Sequence, residues 1–192
     1  MRINQVVNSI YNSCSYVLTD DSRTWLVDCG DVDRLLPLIE GDLCGVLLTH
    51  SHFDHIYGLN QLMTLYPRLA VYTSRPGLDG LLSDKLNFSR YYGDPIVLDS
   101  PENVVVVDDG DMVQLFDGVT IQALVTPGHS PDCVTWLTDD VLFTGDCYIP
   151  GVKMVTNLPH SDKVLAAQSE SLIRDLAETR TVYPGHAPDN ND

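Results

Sequence analysis

Between Leu47 and Gly58 the chain reads LLTHSHFDHIYG, and this stretch limits the possible folds more than any other. His50, His52, Asp54 and His55 lie directly after the apolar run LCGVLLT (43–49), which looks like a buried strand. Side chains two apart on an extended segment point the same way, so His50 and His52 aim at one spot. Asp54 and His55 follow where the chain turns into a helix, and they point to an adjacent spot. Two neighbouring metal sites can share such a cluster, provided distant parts of the chain supply the remaining ligands.

Three later stretches do so. TPGHS (126–130) and YPGHA (183–187) each place Pro-Gly-His after a β-rich run, and LFTGD (142–146) ends an apolar run on Gly-Asp. Pro and Gly make tight turns that bring His129 and His186 out at strand ends, and Asp146 is placed in the same way. Every candidate thus falls where a strand gives way to a loop, the usual location of sites built on a rigid scaffold. The sixth histidine, His160 in NLPHSD, reads as a loop residue. Imidazoles with carboxylate oxygens and no thiolate suit Zn²⁺, with Fe or Mn as alternatives.

The remaining pattern alternates strands and helices. CSYVLT (14–19) and TWLVDCG (24–30) flank a turn and form a hairpin. DVDRLLPLIE (31–40) is a short helix, with Asp31 or Asp33 near its start. Residues 54–67 form a helix ending at Pro67, LAVYT (69–73) a strand, and residues 74–84 a helix with Pro76 in its first turn. Residues 103–130 hold three β runs separated by Asp-Asp-Gly and Asp-Gly turns. CVTWLTDDVLFTGD is a further hairpin, and TVYPGH a last strand. The clearest amphipathic helix spans 161–180, with Val164, Leu165, Leu172, Ile173 and Leu176 as its apolar face. A sheet-on-sheet core with helices outside satisfies this order. No composition shift marks a boundary, so residues 1–192 are expected to form a single domain.

Composition narrows the partners. The formal net charge is −16, which opposes nucleic acid and anionic membranes as partners. No apolar run approaches the ~18 residues of a membrane span, and the N-terminus lacks a signal-type apolar core, so a cytoplasmic location is expected. The five cysteines have no CxxC spacing, which fits reduced thiols; Cys133 and Cys147 read as buried packing residues.

THSHFDH, TPGHS, LFTGD and YPGH, in this order, resemble the metallo-β-lactamase superfamily of hydrolases, most closely its glyoxalase II-like branch. KLNFSRYYGDPI (85–96) is similar to a segment in short bacterial members of that branch. The resemblance implies an α/β fold, a four-layer αββα sandwich with metals at one edge. It implies that His50, His52 and His129 hold one divalent metal ion and Asp54, His55 and His186 a second. Asp146 would bridge them with a water or hydroxide that attacks a carbonyl carbon, and Asp54 would also orient that nucleophile as a catalytic residue. The implied activity is hydrolysis of a thioester or related small ester, as in hydroxyacylglutathione hydrolase. The sequence ends six residues after His186, so the short form without the C-terminal helical glutathione-binding domain is expected. Persulfide dioxygenases with a single iron, and lactonases, share these ligands and are the alternatives. Lys153, Tyr148, Tyr57 and Asn157 are candidate contacts for a small-molecule substrate, and Arg90 with Tyr91 and Tyr92 forms a further candidate patch.

Overall fold

A computed structural model describes residues 1–187 of the chain; the expected single domain of 1–192 ends in residues 188–192, which lie outside the described residues. The first sheet contains β1 (Arg2–Val7), β2 (Cys14–Thr19), β3 (Arg23–Val27), β4 (Asp42–Leu47), β5 (Ala70–Thr73) and β6 (Val104–Val106), side by side in that order. β1 to β3 pair antiparallel, and β3 to β6 pair parallel. Parallel pairing requires crossovers, and these carry α1 (Val32–Leu35), α2 (Phe53–Ile56), α3 (Leu59–Leu65) and α4 (Arg75–Leu81). The second sheet contains β7 (Met112–Phe116), β8 (Val119–Val125), β9 (Val134–Leu137), β10 (Val141–Gly145) and β11 (Thr181–Pro184), in spatial order β11-β10-β9-β8-β7. α5 (Lys163–Ala177) precedes β11, which pairs parallel with β10.

Alternation along the strands builds the layers. Tyr16, Leu18, Trp25, Val27 and Leu47 face the second sheet and pack with Leu115, Ile121, Ala123, Trp136 and Phe143. Their neighbours Val17, Leu26, Val46 and Leu48 face the opposite way, into a core shared with α1, α2 and α3. On the outer side of the second sheet Leu142 packs with Ile173 of α5. The order helices, sheet, sheet, helix is the expected αββα sandwich. Two indoles tie the sheets together: Trp25 donates to the Leu115 carbonyl and Trp136 to the Leu48 carbonyl, both at 2.9 Å. Each buries a large apolar surface without leaving its N–H unpaired.

The hairpins at 14–30 and 133–146 form as the sequence indicates. The helix expected over 54–67 divides into α2 and α3 at Gly58, where an added Cβ would lie 2.1 Å from the Gly30 carbonyl oxygen. The helix expected over 31–40 is a single turn followed by a 3-10 turn at Pro37. β1 lies in a stretch without strand-like alternation, and β6 joins the first sheet, apart from the two runs that follow it.

The apolar face read for α5 needs correction. Val164 is 68% exposed, and Leu165 and Leu172 are also exposed, while Ala166, Ser169 and Ile173 are buried. The N-terminal half of α5 packs on the backbone of the TPGH turn. An added Cβ at Gly128 would sit 2.3 Å from the Ala166 backbone nitrogen, and Ser169 Oγ donates to the Pro127 carbonyl at 2.7 Å. Close backbone approach favours small side chains there, so it is the C-terminal half of α5, with Ile173, Leu176 and Ala177, that reaches an apolar layer.

Candidate metal centre

Four strands deliver the cluster from their C-terminal ends. His50 follows β4, His129 follows β8, Asp146 follows β10 and His186 follows β11. His52 has extended backbone and caps α2, whose first turn carries Asp54 and His55. Glycine is required beside the ligand candidates: a Cβ at Gly185 would lie 2.2 Å from Asp146 Oδ1, and Gly128 has φ +143°.

The seven residues converge. His50, His52 and His129 offer donor atoms within 4.8 Å of one another, as do His50, His55 and Asp146, and Asp54, His55 and His186. Asp146 Oδ2 lies 3.6 Å from His129 Nε2 and 3.3 Å from His186 Nε2, and its Oδ1 lies 3.5 Å from His55 Nε2. It therefore stands between the two histidine groups. Asp54 Oδ2 lies 3.4 Å from His186 Nε2.

The outward nitrogens are fixed. His55 Nδ1 meets Asp28 Oδ2 at 2.9 Å, His129 Nδ1 meets the Val155 carbonyl at 3.0 Å, and His186 Nδ1 meets the Tyr11 carbonyl at 2.8 Å. Each carboxylate or carbonyl accepts, so these Nδ1 atoms carry the proton and the Nε2 lone pairs face the centre. Thr49 Oγ1 donates to Asp28 Oδ2 at 2.7 Å and accepts from His50 Nδ1 at 3.1 Å, so His50 Nε2 is also bare. The backbone at Ser51 donates to the buried Asp132 at 2.7 Å, and Ser161 Oγ donates to the His129 carbonyl at 2.6 Å.

This arrangement fits divalent cations. Among the described residues, His50 Nε2 and Asp146 Oδ1 are buried side-chain atoms with no hydrogen-bond partner, a costly state for polar atoms that a cation would relieve. His129 Nε2 faces His52 Nδ1 at 3.0 Å, and His55 Nε2 faces His186 Nε2 at 3.3 Å. Two lone pairs so placed repel unless a proton or a cation joins them. Burial, then His55 and His52, hold His50 well below the usual histidine range; burial, then His129, bring His52 down to about 4. Both are thus neutral, the form that binds metal. Burial opposes charge on His55, but Asp54 and Asp146 hold it well above the usual range. Burial opposes ionisation of Asp146 too, yet His55 and His186 hold its carboxyl well below the usual range.

The centre opens into a cavity of about 510 Å³ whose walls include Tyr11, Phe53, Lys85, Phe88, Tyr92 and His160. Tyr91 also lines it, whereas Arg90 is engaged by Asp84. None of the four substrate candidates lines this cavity. Tyr57 donates to Asp31 at 2.6 Å, which pushes its hydroxyl up to about 12 after burial, and Tyr148 stacks under the Arg174 guanidinium. Lys153 and Asn157 are not among the lining residues, although neighbouring Val155 and Leu158 are. Asp28 and Asp132, which sequence reasoning missed, hold the ligand loops from behind; Asp28 ends a strand just as Asp146 does, and that parallel was the available signal.

The fold has counterparts in known proteins. A probable metallo-hydrolase of Streptococcus pyogenes serotype M6 is 28% identical over 98% of this chain and 84% of its own length. A hydroxyacylglutathione hydrolase of Hydrogenovibrio crunogenus is 29% identical over 87% of this chain, which spans only about half, 54%, of that relative. The crystal structure of the B3 metallo-beta-lactamase BLEG-1 matches with a TM-score of 0.84 and 27% identity, over 97% of this chain and 92% of that one. The family profile described as Metallo-beta-lactamase superfamily matches residues 11–186, a span that holds every histidine and aspartate of the centre, and the chain belongs to that superfamily.

Proposed function

We propose that this chain is a hydrolase whose centre holds two divalent cations, zinc foremost, and that it cleaves a thioester or related small ester. One observation carries the reading: Asp146 stands between two histidine groups whose bare nitrogens face one another at the floor of an open cavity. His50, His52 and His129 would hold one cation, Asp54, His55 and His186 the other, and Asp146 both. Bound together, such cations make water a nucleophile near neutral pH and polarise a carbonyl.

The chain's own residues supply position and exclusion. Asp54, 7% exposed at the cavity floor, is placed to accept a hydrogen bond from a water and aim it at the substrate carbonyl. Asp28, Val155 and Tyr11 fix the ring orientations with Nδ1 protonated. His50 and His52 are ready to ligate as they stand, whereas His55 and His186, held above the usual histidine range, would release a proton when a cation binds. Phe53, Phe88 and Tyr92 line the approach and displace water from the scissile bond. No protein nucleophile is required: Cys147 Sγ donates to the Thr126 carbonyl at 3.2 Å, and burial holds the Cys133 thiol well above its usual range. The net charge of −16 favours a small-molecule partner over nucleic acid, and among the described residues no helix is long and apolar enough to cross a membrane.

The test is a panel of thioesters, lactones, phosphodiesters and a glutathione persulfide, run on protein loaded with zinc and, separately, with iron, each of measured metal content. Thioester turnover that disappears with chelation supports the reading; persulfide oxidation with oxygen uptake would replace it by the dioxygenase alternative.

A further inference from the structure

We infer that the centre acts on a carboxylate-bearing thioester with a flat apolar body, and that Lys85 grips the carboxylate; this rests on the hydrolase reading above. Among the described residues, Lys85 is the one lysine or arginine that lines the cavity, and it forms no ion pair. Its freedom has a cause. The adjacent carboxylate, Asp84, is taken by Arg90, whose Nε donates to it at 3.1 Å. A free cation at the mouth of a cavity in a strongly acidic chain is an anchor for an anion that the rest of the surface repels.

The walls define the rest of the ligand. Phe53 and Tyr92 stack with ring centroids 4.8 Å apart and planes 8° apart, and Tyr11 meets them edge-on at 5.9 and 6.1 Å. Tyr11, Tyr91 and Tyr92 are 59%, 60% and 59% exposed, yet all three line the same cavity. Exposed aromatic rings gathered at one opening mark a surface that a ligand covers, and their faces favour planar apolar groups. The inferred substrate therefore carries a planar apolar group for these rings and a carboxylate for Lys85.

Two thioethers that cannot be hydrolysed, benzylthioacetate and benzylthioacetamide, test this on zinc-loaded protein by calorimetry. The carboxylate should bind tighter by roughly fivefold, the scale of one solvent-exposed ion pair. Lys85→Met should abolish that preference and Lys85→Arg should keep it. Replacing the benzyl group by methyl should weaken binding in all three proteins. A preference that survives in Lys85→Met would place the carboxylate elsewhere, on the metals for example, and overturn the inference; so would equal affinity for acid and amide in the unsubstituted protein. The matching thioesters, S-benzoyl mercaptoacetate and its amide, separate this from the parent reading. Absence of their hydrolysis sinks the hydrolase, whereas the thioether preference stands or falls on Lys85 alone.

Discussion

The His55 imidazole is held from behind by Asp28, whose Oδ2 accepts from His55 Nδ1 at 2.9 Å while both residues are almost wholly buried. Asp28 also accepts from the Thr49 backbone at 2.8 Å and from its hydroxyl at 2.7 Å, so one carboxylate sets the orientation of His55 directly and of His50 through Thr49. It does so from a left-handed backbone conformation, φ 57°, that asparagine also tolerates.

Asp28→Asn therefore isolates the charge from the fold. Metal affinity should drop roughly 10- to 100-fold, the usual cost of losing a partner behind a ligand. Titration of the metal-free protein with zinc and a competing chelator measures it. Unchanged affinity would show that Asp28 only packs.

Asp146→Ala should lower the occupancy of both metal positions together, because its carboxylate faces His55, His129 and His186 at once. Elemental analysis beside turnover checks this. Full turnover would remove the dinuclear mechanism. His160→Ala is the control: this exposed residue lines the cavity but belongs to none of the three ligand groups, so metal content should not change.

Gly128→Ala should destabilise the protein by about 1–3 kcal/mol, since the backbone is at φ +143° and the new methyl meets α5 at 2.3 Å. Chemical denaturation reads the change. Because the same turn presents His129, metal affinity should fall with stability.

The metal-free protein should be most stable near pH 6.5, the ordinary histidine value, and lose stability in both directions. His52, at about 4 in the fold, and His50, well below its usual range, stay neutral while the unfolded chain takes up protons, so stability falls as pH drops from 6.5 towards 4. His55 and His186 are held above the usual range, so the stability they contribute is complete below about pH 6.5 and is lost as pH rises through their folded values. Thermal midpoints of chelator-treated protein across pH test the shape. A monotonic profile would contradict it.

The loops that carry the converging histidines and aspartates were legible because each requirement is local: apolar strand, tight turn, then a residue with a donor atom. The two-sheet layering was legible for the same reason, since alternation such as Tyr16-Val17-Leu18 assigns opposite faces. The outer contacts were not. α5 looked amphipathic around Val164 and Leu172, but its packing face is chosen by the nearness of Gly128 to Ala166, a relation between residues far apart in sequence. Tyr57 and Tyr148 looked like cleft residues because they neighbour the ligands in sequence, and the backbone turns them away, towards Asp31 and Arg174. Lys85 opens the KLNFSRYYGDPI segment that the sequence singled out, but nothing local to it shows that its side chain lines the cavity.

The most direct measurement is metal stoichiometry. Protein grown with ample zinc, iron and manganese and purified without chelator should contain about two divalent ions per chain, and His50→Ala should lose about one of them, as expected of a dinuclear centre. No bound metal, or a single iron per chain accompanied by oxygen consumption, would contradict the account.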